Sequence, residues 1–429
     1  MENKKIRFLL LLLIDLIVGI LIGSLIGIYL IGIRYISDLS SFLYNNKHLL
    51  IICSVIFIVL IGMFINYFLI KKYPAIDGSG TPNLLIAIRK KEKIDWLYEI
   101  PALIINSYIS TFAGFPLGSE GPCLVLAGKI TKMSQDLFKE KNMDEDEMAL
   151  GIGAGFGAAY ISPLAGIFYT FETGLKRFSF KLLIRGIVIT ISSSLMVYVL
   201  DHHQILALHD FQMPNFSHLY ILFFLMVLNV PTSFITYHAL LFFKKIFYKF
   251  SKNKIVKYRA FIFFPIIIVL NLFFFDFLGS GVNIVEMDFS HLSMLAIFGI
   301  LVFRIFITSI CGAGGVTGGL VIPIMAIGAL TGEIASKFLT LTFNLAPEYY
   351  SLVILISMAM VLAMINNIPF TASCLVFTTI FNYNMDILDA FILLPFVFAT
   401  IYLSTTILKV FNSTNFYEKA IELSLKYHH

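Results

Sequence analysis

Long, uninterrupted apolar runs are the feature that most restricts how this chain can fold. Each run approaches the ~20 residues that cross a bilayer as a helix, and none alternates polar with apolar residues as the strands of a membrane barrel do. Only 13% of the 429 residues are charged, against roughly a quarter in soluble domains. We therefore predict an all-α polytopic membrane protein. The main runs cover residues 8–33, 49–70, 182–200, 219–237, 260–275 and 391–408.

Basic residues gather in a few connecting segments, among them 89–93, 129–141 and 244–259. The positive-inside rule places most of these segments and the basic N-terminus on the cytoplasmic side. Topology thus explains the net charge of +5, and a nucleic-acid partner is not needed. The first run lacks a signal-peptide cleavage site, so we expect a retained helix. We expect a multi-pass protein of the cell membrane, of bacterial type, with no soluble domain after Leu408 because few residues remain there.

A weak internal repeat divides the chain into two hydrophobic halves. Pro122 is echoed by Pro323, and Pro163 by Pro369, at offsets of about 200 residues, which is typical of transporters built from repeats. Chance recurrence of Gly and Pro in membrane helices is the alternative. We predict a first half at 1–243, a basic connecting segment at 244–259 and a second half at 260–429.

Several apolar segments are short and interrupted by Gly and Pro, and three of these carry Gly-rich motifs. Such breaks are tolerated at membrane depth only inside protein or beside a cavity. The helix N-termini that they create present free N–H groups and positive dipole ends. Several such N-termini can bind an anion without a cationic side chain, and none of the three motifs contains Lys or Arg. The motifs are GSGTP at 78–82, GSEGP at 118–122 and GGLVIP at 318–323.

Individual residues of these motifs suggest distinct roles. Ser79 adds a hydroxyl donor to the first turn, although such a turn alone is weak evidence for a site. Glu120 lies at the expected start of a helix, where a carboxylate and a free anion would compete for the same N–H groups. The alternative is an acid that only caps its own helix. Because intramembrane carboxylates are rare and usually functional, we favour a gate. Leu320 and Val321 would offer backbone amides from the third motif.

The three motifs, in this order, resemble the signatures of the CLC chloride channels and proton-coupled chloride exchangers, usually GSGIP, GKEGP or GREGP, and GGIFAP. The stretches EGPCLVLAGKITKM and GAGFGAAYISPLAGIFYTFE extend the resemblance. It implies a CLC-type inverted repeat of tilted, broken helices. It also implies a homodimer with one anion pathway in each subunit.

The resemblance also implies roles for individual residues. Ser79, with Gly80, corresponds to the central serine that accompanies chloride in this family. Glu120, followed by Gly121, corresponds to the gating glutamate. The amides of Leu320 and Val321 would contact the anion, although the family usually has phenylalanine at the position of Val321. The anion-coordinating tyrosine would be Tyr383. Its alternatives are a membrane-interface tyrosine and, if the register slips, a site at Phe391.

One departure from the family concerns proton coupling. Exchangers usually carry two successive acids in the stretch that is PLAGIFYTFETGLKRF here, and the second transfers protons from inside. In this chain the pair is Glu172 and Thr173. Because threonine cannot titrate, the proton would need water or Glu172 as a substitute. Channels of the family also lack this acid, so the pair leaves both modes of transport open.

We therefore predict chloride/proton exchange, with Glu120 as gate and proton acceptor. The alternatives are a passive chloride channel and a fluoride/proton antiporter of the same family. Ser79 argues against the fluoride branch, whereas Val321 leaves it open. The expected partners are a small anion, protons, the lipid bilayer and a second copy of the chain. We expect no enzymatic activity, because neither HExxH nor a plausible Ser–His pairing is present, and no metal or cofactor besides the transported chloride.

Overall fold

Helices account for nearly all regular structure in the computed structural model, which describes residues 2–46, 48–138, 144–175, 178–202, 219–251, 258–382, 387–411 and 416–427. Among these residues, nine candidate spans are long and apolar enough to cross a membrane, and extended pairing is confined to one isolated bridge. The helices are α1 Glu2–Asn45, α2 Leu49–Lys72, α3 Thr81–Lys90, α4 Trp96–Phe112, α5 Glu120–Leu137, α6 Glu145–Tyr160, α7 Pro163–Tyr169, α8 Phe180–Leu200, α9 Tyr220–Ser251, α10 Ala260–Phe274, α11 Val282–Glu286, α12 Met294–Ala313, α13 Val321–Phe343, α14 Tyr350–Asn366, α15 Pro369–Asn382, α16 Ile387–Phe411 and α17 Phe416–Tyr427.

The long helices surround shorter ones that start and stop inside the protein. Outer helices such as α1, α2 and α12 leave large apolar side chains exposed, as lipid contact requires, whereas nearly every side chain of α14 is buried. The short or broken elements α3, α7 and α11 lie beside the buried helices α5, α6 and α13. The predicted all-α membrane fold with broken helices is confirmed.

The two halves repeat the same local geometry. Helices α4 and α5 are joined through Gly114, and helices α12 and α13 through Gly315; these glycines are 201 positions apart and both have φ +73°. Pro122 and Pro323 each occupy the third position of the helix that follows. This left-handed backbone conformation favours glycine over other residues at both positions. The weak echo in the sequence therefore reflects a structural repeat.

A second pair of turns repeats in the same way. Helices α6 and α7 are joined at Ile161 with φ +50°, and helices α14 and α15 at Asn367 with φ +56°. A proline, Pro163 or Pro369, then starts the next helix in each half. Proline is well suited to a first helical position because it lacks an N–H to satisfy. Helices α7 and α15 pack against each other, which brings the two halves together.

The predicted connecting segment 244–259 begins inside a helix. Helix α9 continues through Lys244 to Ser251, and the described chain resumes at 258, shortly before α10 begins at Ala260. The division of the chain into 1–243, 244–259 and 260–429 stays a prediction.

A buried ion pair joins three helices of the first half. Arg185 on α8 donates from Nε to Asp15 on α1 at 2.7 Å, and from Nη2 to Glu147 on α6 at 2.8 Å. A buried guanidinium needs such partners because its desolvation is costly. The ion pair with Arg185 on a neighbouring helix therefore explains why Asp15 can lie within the first apolar run.

Candidate anion pathway

The three Gly-rich motifs meet at one place in the fold. Gly118 and Gly319 form an antiparallel bridge, with N–H to carbonyl distances of 2.8 and 2.5 Å. The N–H of Gly318 donates to the carbonyl of Gly78 at 3.0 Å. Backbone hydrogen bonds thus connect segments that are as much as 240 positions apart in the sequence. The three motifs are therefore neighbours in the fold, and their joint role in anion binding stays a prediction.

Close approach explains the glycines at this junction. A Cβ on Gly121 would lie 2.8 Å from the Cα of Gly319 and 3.0 Å from the Cβ of Ser79. Gly80, with φ +69°, turns the chain into α3, a conformation that favours glycine. The first motif can therefore lie directly against the start of α5.

Three helices begin beside this junction. Helix α5 starts at Glu120, and helix α13 starts at Val321 with Leu320 as its N-cap residue. Helix α3 starts at Thr81, whose buried hydroxyl has no hydrogen-bond partner among the described residues. Helix N-termini carry partial positive charge from unpaired N–H groups. Their arrangement favours an anion.

Glu120 lies at the centre of this junction and has no exposed surface. Its Oε1 accepts a hydrogen bond from the Ser119 hydroxyl at 3.2 Å, while Oε2 has no hydrogen-bond partner among the described residues. The backbone N–H groups of Ile322 and of Glu120 itself lie near the carboxylate. In the described part of the chain, no lysine or arginine pairs with it. The carboxylate thus depends on backbone dipoles and one hydroxyl.

A buried network of polar side chains connects the segments that precede the first and third motifs. The Thr317 hydroxyl donates to the carbonyl of Ile76 at 2.7 Å and accepts from Asn106 Nδ2 at 2.6 Å. The Ser110 hydroxyl donates to the Thr317 carbonyl at 2.5 Å, and Asn66 donates to Asn106 at 2.8 Å. Buried polar groups need such partners. The sequence pattern did not predict this network because its members are scattered over α2, α4 and two loops.

Tyrosines other than the predicted one lie near Glu120. Tyr383 lies outside the described residues. The phenols of Tyr29, Tyr160 and Tyr417 are all in electrostatic range of the Glu120 carboxylate. Tyr417 is the second residue of α17 and is buried. The sequence feature that could have indicated Tyr417 is the short amphipathic pattern after the last apolar run. That pattern resembles a C-terminal tail, so Tyr417 was not singled out from the sequence.

Glu172 and Thr173, the expected internal proton path, are both held by hydrogen bonds. The Glu172 carboxylate accepts from the N–H groups of Phe370 and Thr371, each at 2.8 Å, and from the Thr371 hydroxyl at 2.5 Å. It therefore caps the start of α15. The Thr173 hydroxyl donates to the carbonyl of Tyr169 at 2.6 Å. Neither group shares a hydrogen bond with Glu120.

The sequence contains a second GSG triplet, which lies outside the three predicted motifs. It covers residues 279–281, which lie 201 positions after the first GSG. The guanidinium of Arg304 donates to the carbonyls of Gly279 and Ser280, at 2.9 and 2.7 Å, and to that of Phe277 at 3.1 Å. This buried arginine has no counterpart at the first triplet, where the equivalent position on α4 is Leu103. The two triplets thus share backbone geometry but not surroundings.

Two cavities that share no lining residue both have lining residues next to Glu120. The first, of about 360 Å³, is lined by Gly78 and Ser79; we call it the basic cavity. The second, of about 300 Å³, is lined by Ser119 and Ile322; we call it the acidic cavity. Glu120 lines neither of them and lies beside residues of both. Glu120 therefore lies beside residues that line two separate cavities.

The described residues hold no cluster of three His, Cys, Asp or Glu side chains suited to a metal ion. The polar groups at the junction are backbone amides, hydroxyls and one carboxylate. The backbone amides and hydroxyls are neutral donors, and they can hold and release a monovalent anion because they attract it less strongly than a cationic side chain would.

Comparison with known proteins identifies the family. The model of the voltage-gated chloride channel family matches residues 57–401, which is most of the chain. The chain belongs to this family. The H(+)/Cl(-) exchange transporter ClcA of Vibrio cholerae serotype O1 (strain M66-2) is 25% identical over 337 residues, covering 75% of this chain and 71% of the relative.

Solved structures of the family have the same fold. A slow cyanobacterial Cl-/H+ antiporter superposes with a TM-score of 0.83 at 20% identity, covering 97% of this chain and 98% of the other. A CLC-type fluoride/proton antiporter gives a TM-score of 0.75 at 18% identity, with coverage of 96% and 97%. At these identities the likeness establishes the fold alone. The predicted family and its CLC-type architecture are confirmed.

Proposed function

We propose that this protein exchanges chloride for protons across the membrane, with Glu120 as gate and proton acceptor. The observation that carries the proposal is a fully buried carboxylate between two cavities, with one oxygen that has no hydrogen-bond partner among the described residues. The exchange activity of the Vibrio cholerae relative supports this assignment. A transported anion and the carboxylate would use the same positive helix ends.

The mechanism follows from this competition. When Glu120 is ionised, it occupies the place of the anion at the start of α5. Protonation removes its charge, so the side chain can leave and chloride can enter. The hydroxyl of Ser79 and the amides of Gly80, Gly121, Leu320 and Val321 would then contact the ion.

A tyrosine hydroxyl would complete the site. We assign this role to Tyr417, which is buried and within electrostatic range of Glu120. The hydroxyls of Tyr29 and Tyr160, which share that range, already contact Ser107 and Met325. Tyr383 is the alternative from the motif order. A phenol is a neutral donor, so it can bind chloride without holding it permanently. Replacing each tyrosine with phenylalanine distinguishes the two assignments, since only the true ligand changes the apparent KM for chloride.

A passive chloride channel is the second candidate, and the geometry near Thr173 favours it. Glu172 accepts three hydrogen bonds from α15 and Thr173 cannot titrate, so neither offers an obvious acceptor for protons from inside. In the exchanger, protons would reach Glu120 through water in the basic cavity. The fluoride/proton antiporter is a third candidate, tested with the same assay.

Proteoliposomes with simultaneous recording of chloride and pH test the exchanger against the channel. We expect a chloride gradient to drive protons uphill in the wild type and acid to increase chloride flux. Glu120→Gln should abolish proton movement and make chloride flux independent of pH, because the amide cannot ionise. Repeating the experiment with fluoride measures the preference between anions.

Glu333→Gln is the matched control. Glu333 is a partly buried acid on α13 that lines neither cavity, so its neutralisation should leave coupling intact. Proton transport that survives in Glu120→Gln would overturn the gate. Chloride flux without any proton movement in the wild type would establish the channel instead.

A further inference from the structure

The charges that line the two cavities differ in sign. The basic cavity has five cationic side chains against three carboxylates, Asp77, Glu92 and Glu99. The acidic cavity has one cation, Arg34, against three carboxylates. Because clefts with low-dielectric walls focus such fields, anions concentrate at the basic cavity. The cations of the basic cavity are Lys90, Lys93, Lys129, Lys244 and Arg259.

All three carboxylates of the basic cavity have cationic partners. Glu99 pairs with Lys129, and Asp77 pairs with Arg259. Glu92 lies 3.9 Å from Lys90 in a largely exposed pair. The three acids are thus opposed by three cations. The surplus charge comes from the two remaining lysines.

Lys244 is the surplus cation that faces the pathway. It lies on α9, and no described residue forms an ion pair with it. Asp77 is near enough to attract it but is bound to Arg259. Its Nζ lies 5.5 Å from the ring centroid of Phe416. Lys93, by contrast, is exposed at the rim.

The surroundings of Lys244 suit an anion. The Phe416 ring offers no acceptor oxygen or nitrogen, so N–H donors of the ammonium are available for a ligand. Phe416 is the first residue of α17, next to Tyr417. Gly78 and Ser79 line the same cavity. An anion at Lys244 would therefore share one space with the proposed first ligand of the pathway.

We propose that Lys244 binds a small monovalent anion in the basic cavity, from which the anion passes to Ser79. This inference rests on the proposed anion transport but not on proton coupling, so it holds for an exchanger or a channel. The positive-inside rule places the cavity, which adjoins the basic segments 89–93 and 244–259, on the cytoplasmic side. Loading of the anion from that side is thereby favoured.

The test compares Lys244→Met with Lys244→Arg and with Lys245→Met in proteoliposomes. Lys245 is the exposed neighbour on the same helix and does not line the cavity, so it controls for loss of one charge. Initial chloride efflux is measured over a range of chloride concentrations. We expect Lys244→Met to raise the apparent KM about tenfold, within the range of electrostatic focusing, with little change in maximal rate. Lys244→Arg should restore most of the affinity.

Two further readouts keep the outcome unambiguous. The effect of Lys244→Met should shrink as an impermeant salt raises the ionic strength, and size-exclusion chromatography should show a folded variant. A wild-type KM in Lys244→Met, or an equal increase in Lys245→Met, would overturn the inference alone. A wild type that moves no chloride would overturn the proposed function and the inference together.

Discussion

The turn between α4 and α5 and the turn between α12 and α13 share one backbone design but carry different chemistry. Each has a glycine at φ +73° five residues before the N-cap residue of the following helix. The first residue of that helix is Glu120 in one half and Val321 in the other, 201 positions apart. The repeat thus supplies two positive helix ends, and only one of them carries its own carboxylate. The symmetry of the backbone favours an anion at both helix starts, and the side chain that differs between them is the proposed gate.

The contact between the two turns offers the largest test of this comparison. Gly319→Ala would place a Cβ 2.5 Å from the backbone nitrogen of Gly121, and backbone cannot move aside as a flexible side chain can. We expect a loss of about 1–3 kcal/mol in stability, together with loss of most chloride flux. Thermal unfolding of the purified protein and proteoliposome efflux measure these two effects.

Gly299→Ala is the matched control for that substitution. Gly299 lies in α12, and a Cβ there would meet no atom within 4 Å. We expect an unchanged or slightly raised melting temperature, because alanine favours helix more than glycine does. Wild-type flux in Gly319→Ala would show that the two turns need not touch for transport.

The second test concerns a difference between the turns. Thr317 ties the third motif to Ile76 and Asn106, whereas the equivalent position of the first half is Pro116, which has no hydroxyl. Thr317→Val preserves shape but leaves buried polar partners unsatisfied, at a cost of about 1–3 kcal/mol. Thr317→Ser retains the hydroxyl and should lose much less. Melting temperatures of the two variants, compared with their apparent KM for chloride, measure how far this network positions the anion site.

A Thr317→Val variant with wild-type stability would mean that water replaces the hydroxyl in the network. If stability falls while the apparent KM is unchanged, the network supports the fold without positioning the first motif. Either result would mean that Thr317 does not distinguish the two turns in function, and that the exchange of Glu120 for Val321 is the difference that matters for transport.

The fold was predictable because membrane depth allows few structures. Apolar runs of this length must be helical, and glycines and prolines that interrupt them must lie inside protein. The matched spacing of Pro122 and Pro323 is therefore enough to indicate equivalent helix starts in the two halves. Glu120 could be predicted as special for a similar reason, since an ionisable group is costly in an apolar environment.

Contacts between distant residues could not be predicted from the sequence. Glu172 caps α15 through Phe370 and Thr371, which lie about 200 positions away. Tyr417 comes near Glu120 only because α17 returns to pack beside α3 and α9. In the sequence, a short amphipathic helix after the last apolar run resembles a cytoplasmic tail. Local sequence patterns identify individual helices, but they do not indicate which distant helices pack against each other.

The test with the smallest expected effect compares the acidic cavity with the basic cavity. Asp38 lines the acidic cavity and is exposed, whereas Lys244 lies deeper in the basic cavity. We expect Asp38→Asn to lower the apparent KM for chloride by about twofold or less, because charges in water are screened over ~8 Å at physiological ionic strength. The same chloride series in proteoliposomes, at low and high ionic strength, measures the change. An effect as large as that of Lys244→Met would mean that the overall field of both cavities, rather than a bound anion at Lys244, sets the affinity for chloride.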